Sequence, residues 1–223
     1  EILVKVLYAK DPLSVQVHPD DTSSLLKEGV NVYGVSRSNE TKLQNDSKYN
    51  HICIDLSNKQ GVNKLIESCK DNNIYPDIII NNIGGNLNFT DPLKSSEGWH
   101  KVSFLNLESA MLLNEFFIPK MIENKWGRIC HISSISALEN QGPPIYCAAK
   151  AALNAYARSL GRYVCEHNVI LTTMMPGAIF TEGGYWDQAS KERSEHVTKY
   201  LQDRMAIKRF GKTQEVSDLI TIL

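Results

Sequence analysis

The sequence predicts an α/β protein with a doubly wound, parallel β-sheet and helices on both faces. Six short runs rich in Ile and Val alternate with segments whose apolar residues recur at helical spacing. Such alternation implies right-handed crossovers, and near-continuous apolar runs such as DIIINNI (77–83) suit strands covered on both faces. With 223 residues, 42% of them hydrophobic, we expect a single domain over residues 1–223.

The elements follow in a regular order along the chain. The predicted strands are 2–9, 31–36, 51–56, 77–83, 128–133 and 168–176. The predicted helices are 20–29, 59–72, 97–124, 146–167, 187–204 and 213–223. In sheets of this kind ligands bind beyond the carboxyl ends of the strands, so residues that directly follow a strand are the candidates for function.

Composition narrows the class of function to a pocket for a small molecule. Twenty-four basic residues balance twenty-five acidic ones without a block of like charge, so there is no electrostatic case for nucleic acid or a membrane surface as partner. No apolar run reaches the ~18–20 residues of a transmembrane helix. Five scattered cysteines without a C-x-x-C pair favour reduced thiols, a cytoplasmic location and no thiolate metal site.

The strongest chemical signal is YCAAK, in which Tyr146 and Lys150 lie four residues apart at the start of a helix and share one face. A tyrosine pKa of about 10 is high for base chemistry, and a nearby ammonium would lower it. Ser134, at the end of the fifth strand, could point into the same cleft. A lone Tyr-x-x-x-Lys pair is more often an ordinary helix pair, but the added serine favours a catalytic set.

Six motifs in fixed order carry a resemblance to a known family. From about residue 29 to residue 223 the chain resembles a classical short-chain dehydrogenase/reductase, which implies a Rossmann-like fold and a nicotinamide cofactor. The motifs are DLS (55–57), NNIGG (81–85), LNLES (105–109), ISS (132–134), YCAAK (146–150) and PGAIFT (176–181).

The resemblance implies a proton relay of four residues. Tyr146 would be the general acid/base that exchanges a proton with the carbinol oxygen, and Ser134 would hydrogen-bond that oxygen. Lys150 would lower the tyrosine pKa and hold the nicotinamide ribose, and Asn106 would anchor a water that links the lysine to solvent. Of the two adjacent serines, alternation along the strand puts one towards the cleft; the family pattern selects Ser134, and Ser133 would be structural.

The resemblance also implies a set of cofactor-binding residues. Asn82 and Gly84 match a turn over which the cofactor passes close to the backbone, and Asp55, with Leu56 beside it, matches the contact to the adenine ring. The nicotinamide pocket would be closed by Pro176, Gly177 and Thr181.

The choice of dinucleotide depends on the residues after the second strand. Ser36 stands where an NAD-preferring enzyme would carry a carboxylate, and Arg37 follows it. A guanidinium without a carboxylate favours a 2′-phosphate, so NADP is expected, with NAD possible. The alternative is that Arg37 is merely a surface arginine.

Residues 182–204 fall where the family has its substrate lid. Gly183 and Gly184 could serve as a hinge, and Tyr185 and Trp186 as an apolar wall or simply as packing.

The segment 10–21, KDPLSVQVHPDD, falls where the family carries a glycine-rich phosphate loop, but it contains no glycine. Side chains at those positions should obstruct the close approach of pyrophosphate to the backbone. Pro19, Asp20 and Asp21 are good helix-start residues, yet the start of that helix is where the pyrophosphate would sit.

Residues 2–21 instead resemble a fragment of a type I mannose-6-phosphate isomerase, in which Gln16 and His18 would be zinc ligands. A catalytic zinc normally has three protein ligands, and no later motif supplies another, so we expect no metal site. A replaced first unit and a chimeric sequence both remain open.

The leading hypothesis is an oxidoreductase that transfers a hydride between NADP(H) and a carbonyl or secondary alcohol. The alternative is a catalytically silent scaffold that binds no dinucleotide. The resemblance implies a homodimer or homotetramer, and a seventh strand that we expect the sheet to lack. A chain that starts without Met and stops in the apolar-periodic QEVSDLITIL is compatible with a fragment.

Overall fold

The computed structural model describes residues 31–37, 47–91, 93, 96–139 and 141–220 and the backbone of residues 2–7. Six parallel strands form one sheet in the order β3-β2-β1-β4-β5-β6. These strands are β1 (Ile2–Leu7), β2 (Asn31–Ser36), β3 (Tyr49–Cys53), β4 (Ile78–Asn82), β5 (Gly127–Ile132) and β6 (Val169–Met174). The predicted doubly wound α/β fold is confirmed.

The first strand occupies the centre of this sheet. β1 pairs in parallel with β2 on one side and with β4 on the other, with Val4 opposite Tyr33 and Ile79. The strand order therefore reverses between β1 and β4, and the carboxyl ends at such a reversal are where doubly wound sheets bind their ligands in a crevice. The prediction that the run 2–9 supplies the first strand is confirmed for Ile2–Leu7.

Helices follow most of the strands, as the spacing predicts. They are α1 (Lys59–Asp71), α2 (Ser96–Ser103), α3 (Ser109–Asn124), α4 (Ser136–Glu139), α5 (Pro144–Val164), α6 (Tyr185–Glu192), α7 (Ser194–Arg204) and α8 (Thr213–Ile220). The predicted helix 20–29 lies outside the described residues.

Two of the predicted helices differ in detail. The helix expected over 97–124 consists of α2, a π-helical turn (Phe104–Glu108) and α3. The helix expected over 187–204 is divided into α6 and α7, because the backbone of Arg193 leaves the helical region with φ −143° and ψ 54°. Apolar periodicity cannot register either interruption, since both leave the spacing of buried residues nearly intact.

The core covers both faces of the sheet. On one face Ile79 and Ile129 pack with Leu65 of α1 and with Leu113 and Phe117 of α3. On the other face the neighbouring strand residues pack against the last helix: Val32, Ile80, Cys130, Val216 and Ile220. Because adjacent strand residues point to opposite faces, continuous apolar runs are what such a sheet requires.

Two short elements had no sequence signal. A two-stranded ladder joins β7 (Ile179–Phe180) to β8 (Gly211–Lys212), and α4 is a single turn after β5. Both are too short for periodicity to show. The ladder closes the base of the predicted lid, since it pairs the residues before the lid with those after it.

Three further features concern the described part of the chain. None of its helices is long and apolar enough to cross a membrane. All five cysteines lie in this part and are free thiols. Within the same ranges no three His, Cys, Asp or Glu side chains are grouped so that they could hold a metal ion.

Candidate active site

The structure brings Ser134, Tyr146 and Lys150 together beyond the carboxyl end of β5. Pro144 begins α5, where its fixed φ suits the first turn, and so places Tyr146 at the mouth of the crevice. The Lys150 ammonium lies 5.8 Å from the centre of the Tyr146 ring. It donates a hydrogen bond to the Ile132 carbonyl at 2.9 Å, which ties the helix to the last residue of the strand.

The two adjacent serines have different partners. The buried Ser133 hydroxyl donates to the Lys150 carbonyl at 3.3 Å. The Ser134 hydroxyl accepts from the Ser136 N–H at 3.1 Å and shares a hydrogen bond with the Tyr146 side chain. Only Ser134 therefore shares a space with the tyrosine hydroxyl.

Burial controls the ionisation of this pair. Lys150 is almost completely buried, and desolvation lowers its pKa to about 7. Burial raises the pKa of Tyr146 to about 12, although the hydrogen bond with Ser134 opposes the rise. The expected lowering of the tyrosine pKa by Lys150 is not present in this geometry, because the ammonium is directed at the Ile132 carbonyl and desolvation dominates.

Asn106 lies in the π-helical turn, and its side chain is directed at the turn after β4. Its amide oxygen accepts from the Gly85 N–H at 3.1 Å, and its amide nitrogen donates to the carbonyls of Gly85 and Val102 at 2.8 Å each. A π-helical turn inserts one residue into a helix and so re-aims a side chain. Asn106 therefore fixes the turn directly, a contribution that sequence reasoning did not assign to it.

The turn after β4 has no room for a residue larger than glycine at position 84. A Cβ at Gly84 would lie 2.7 Å from the Lys150 ammonium and 2.8 Å from the Asn106 amide oxygen. Asn82, which ends β4, is buried, and its amide nitrogen has no hydrogen-bond partner within the described ranges. A buried donor without a partner is costly, so this turn suits a ligand that brings an acceptor.

At the other end of the crevice the predicted adenine contacts follow β3. Asp55 is exposed and accepts from the Ser57 N–H at 2.9 Å, whereas the Leu56 side chain is fully buried in the core. The start of α1 presses against this turn, since a Cβ at Gly61 would lie 1.6 Å from the Asp55 carbonyl oxygen. Only the backbone of Leu56 can face a ligand here.

Ser36 and Arg37 stand at the end of β2, as expected. The buried Ser36 hydroxyl lies 3.4 Å from the Nε2 of His51, and the half-buried Arg37 accepts a hydrogen bond from the Cys53 thiol on its carbonyl. The two strand ends thereby lie side by side, with Arg37 and Asp55 after neighbouring strands.

The residues after β6 form the opposite wall. The Pro176 carbonyl accepts from the Ile135 N–H at 3.0 Å, which holds this segment against the one that carries Ser134. Gly177 faces the Met205 thioether, and the Thr181 carbonyl accepts from the Gly184 N–H at 3.0 Å. The residues predicted to bind the nicotinamide therefore lie at the same end of the sheet as the catalytic candidates, namely beyond the carboxyl ends of the strands.

The predicted hinge at the start of the predicted lid is held by hydrogen bonds of the Asp187 carboxylate. Gly183 has a left-handed backbone with φ 71°, and its N–H donates to the Asp187 carboxylate at 2.8 Å. That carboxylate also pairs with Lys191, and both contacts lower its pKa. Behind the hinge the Trp186 ring contacts three other aromatic rings, those of Tyr185, Tyr200 and Phe210.

Comparison with known proteins decides the family. A profile of the family described as short chain dehydrogenase matches residues 22–192, which is most of the chain. The chain belongs to this family. The prediction of an enzyme of the NAD(P)-dependent short-chain dehydrogenase/reductase class is confirmed at this level.

Curated relatives and solved structures agree with this assignment. The chain is 31% identical to the 3-oxoacyl-[acyl-carrier-protein] reductase of Buchnera aphidicola, over 89% of this chain and 81% of that protein. It is 28% identical to the reductase of the same name from Aquifex aeolicus, over 76% of this chain and 66% of that protein.

Two solved structures share the fold. The structure of 4-hydroxyisoleucine dehydrogenase complexed with NADH has a TM-score of 0.84 at 20% identity, covering 99% of this chain and 90% of that one. The structure of L-sorbose reductase from Gluconobacter frateurii, complexed with NADPH and L-sorbose, has a TM-score of 0.81 at 23% identity, covering 99% and 88%.

One predicted segment lies beyond these findings, and one residue near the site was not predicted. The glycine-free segment 10–21, with Gln16 and His18, lies outside the described residues, so its resemblance to an isomerase stays a prediction. Conversely, sequence reasoning passed over His131, which is fully buried beside the site. A histidine inside the apolar strand RICHIS was the available signal, because a buried polar residue needs partners.

Proposed function

We propose that the protein transfers a hydride between NADP(H) and a carbonyl or secondary-alcohol substrate. The observation that carries the proposal is the meeting of Ser134, Tyr146 and Lys150 at the crevice where the strand order reverses. Such a reaction requires three groups from the protein. They are a hydroxyl that exchanges a proton, a second hydroxyl hydrogen-bonded to it and a lysine of altered pKa.

The described residues fit a dinucleotide. The buried Asn82 donor has no partner within the described ranges, the turn that it begins meets Lys150 at Gly84, and Pro176, Gly177 and Thr181 follow the end of β6. Asp55, the Leu56 backbone, Ser36 and Arg37 would hold the adenosine end. When bound, the nicotinamide ring supplies or accepts the hydride.

The residues of this chain would then manage the proton. Tyr146 donates its hydroxyl proton to the carbonyl oxygen during reduction and recovers one during oxidation, while Ser134 orients that oxygen. Because the Lys150 pKa is about 7, the amine can gain or lose a proton near neutral pH, and so can replenish the tyrosine. Asn106 holds the turn that borders the lysine, and in the family pattern it would also anchor a water that links the lysine to solvent.

Replacing Tyr146 tests the assignment. Tyr146→Phe should abolish turnover while leaving NADPH affinity nearly unchanged, because only the hydroxyl is lost. Tyr163→Phe, on the same helix but with a side chain that is 77% exposed, is the matched control and should remain active. The relatives' names make 3-oxoacyl thioesters the first carbonyl substrates to assay. Retained turnover in Tyr146→Phe would refute the proposal.

The preference for NADP rests on two residues at the end of β2: Ser36 stands where an NAD-preferring enzyme would carry a carboxylate, and Arg37 follows it. Arg37→Ala should raise the KM for NADPH and leave the KM for NADH almost unchanged, because only the former carries a 2′-phosphate. An equal rise in the KM for NADPH and the KM for NADH would show that the arginine does not bind the 2′-phosphate.

A second candidate is the silent scaffold, which is favoured by the absence of glycine from residues 10–21. A titration separates the two functions. Binding of NADPH at a hundredfold excess over its dissociation constant should stabilise the protein by about 2.7 kcal/mol, and hence raise the melting temperature. An unchanged melting temperature and NADPH fluorescence at millimolar cofactor would favour the scaffold.

We also propose self-association as a homodimer or homotetramer and a cytoplasmic location. The outer faces of α3 and α5 support the former, because they border an apolar groove of about 600 Å³ and expose Met111 and Tyr163. Met111→Lys should shift the mass measured by light scattering towards the monomer. The five free thiols support a reducing compartment.

A further inference from the structure

A buried polar cluster lies beneath the candidate active site and has no part in the relay described above. His131 of β5 is completely buried. Its Nδ1 lies 3.2 Å from the amide nitrogen of Asn81 on β4, and its Nε2 lies 3.3 Å from that of Asn114 on α3. Asn114 in turn donates to the Tyr156 hydroxyl of α5 at 3.2 Å. The cluster thus joins two strands and two helices.

The imidazole ring holds these two amides in defined orientations. Burial, and secondly the charge of Lys150, lowers the pKa of His131 to about 4, so the ring is neutral near pH 7. A neutral imidazole accepts at one nitrogen and donates from the other, so it accepts a hydrogen bond from one of these amide nitrogens, and the other amide must flip to present its oxygen to the ring N–H. The Asn81 and Asn114 amide oxygens are buried without another partner in the described ranges, so no other group competes for them.

The position of the ring connects this cluster to the cofactor crevice. His131 and Asn81 are directly opposite each other on adjacent strands. Asn81 precedes Asn82, and the segment 82–85 is the turn that meets Lys150 and Asn106 at Gly84. Ile132 follows His131 in β5, and its carbonyl accepts the hydrogen bond from the Lys150 ammonium.

We propose that His131 is a positioning residue that holds Asn81, and through it the turn 82–85, in the orientation in which the dinucleotide binds. Binding of a dinucleotide at this turn rests on the proposed function, whereas the ordering of the turn by His131 does not depend on it. His131 contacts neither substrate nor cofactor. It acts through Asn81, because an apolar residue at this place in the strand would leave that amide without its hydrogen-bond partner and free to rotate.

Hydrogen exchange in the cofactor-free protein tests the ordering of the turn. His131→Leu should speed amide exchange in the peptide 78–86 by about tenfold or more while leaving α1 unchanged, because only local opening is eased. His131→Gln retains a donor and an acceptor and should restore much of the protection. His167→Leu changes a half-buried histidine just before β6, whose ring lies 3.5 Å from the Glu166 carboxylate; it is the matched control and should exchange like the original protein.

Steady-state kinetics tests the link to the cofactor. His131→Leu should raise the KM for NADPH by about tenfold, with kcat and the KM for the carbonyl substrate changed by less than about threefold, and His131→Gln should recover most of the loss. If the role of His131 were merely structural, His131→Leu would lower the melting temperature without raising the KM for NADPH more than it changes kcat and the KM for the carbonyl substrate. Such a result, or unchanged exchange in 78–86, would overturn the proposal.

Two further outcomes are distinguishable. Should His131→Leu fail to fold, Asn81→Val removes the same contact from the other side and must loosen the turn in the same way, or the proposal is wrong. Should the turn loosen in a protein that never binds NADPH, the proposed function fails and the positioning of the turn stands.

Discussion

Adding one methyl group at Gly84 should disable the site while leaving the fold in place. A Cβ at this position would lie 2.7 Å from the Lys150 ammonium and 2.8 Å from the Asn106 amide oxygen, where ordinary contact begins at 3.4 Å. The lysine must therefore retreat by about 0.7 Å, which strains its bond to the Ile132 carbonyl. Overpacking of this kind costs about 1–3 kcal/mol.

The effect on activity should exceed the effect on stability. In a domain of this size the cost corresponds to a fall of roughly 2–12 °C in melting temperature. Misplacement of a catalytic group by about 1 Å can cost about 100-fold in turnover. Thermal unfolding and NADPH-dependent turnover of Gly84→Ala, measured together, provide the assay.

A control on a neighbouring element separates steric from general effects of a glycine-to-alanine change. Gly161 lies within α5, and a Cβ there would meet Leu171 at an ordinary 3.5 Å. Gly161→Ala should therefore be tolerated and should stabilise the helix by up to about 1 kcal/mol. If Gly84→Ala unfolds and turns over like Gly161→Ala, the reasoning from the lysine contact is refuted.

Three other predictions concern the surroundings of the site. Gly61→Ala should destabilise the protein by about 3 kcal/mol or more in urea denaturation, because the new Cβ would lie 1.6 Å from a backbone oxygen that cannot rotate away; a smaller loss would mean that α1 shifts freely. Between pH 7 and about 9 the unfolded chain keeps the Lys150 proton that the folded protein has released, so stability rises with pH across this window; above pH 9 the raised pKa values of the Cys69 and Cys130 thiols act in the opposite direction. Lys150→Met should flatten that rise, and parallel stability profiles would contradict it. Asp187→Ala should free the Gly183 hinge, raise the substrate KM and speed proteolysis within 182–204 without changing NADPH affinity; an unchanged proteolysis rate would argue against a fastened hinge.

The strands and the order of the motifs were predictable from the sequence. β4 and β5 carry apolar residues on both faces, and in the structure both faces are covered by helices. Their continuous apolar segments therefore indicated strands buried on both faces. The long helices around Leu113 and Leu153 were predictable for a similar reason, because one side of each is buried. The break at Arg193 was not, since it preserves the apolar spacing.

Residues of the site were predictable as types and positions, but not as contacts. Spacing placed Tyr146 and Lys150 on one helix face, yet it could not show that the ammonium would bond to the Ile132 carbonyl or that burial would raise the tyrosine pKa. The hydrogen bonds of Asn106 depend on a turn 21 residues away in sequence. Periodicity contains no information about contacts of that range.

The sequence by itself determined the parallel α/β fold, the family and the residue types offered to the crevice, because local propensity, apolar pattern and motif order are properties of short segments. Tertiary structure alone decided how strongly Tyr146 and Lys150 are desolvated and that His131 joins Asn81 to Asn114. These depend on distances between segments far apart in the chain, and desolvation and hydrogen bonding act only once packing has set those distances.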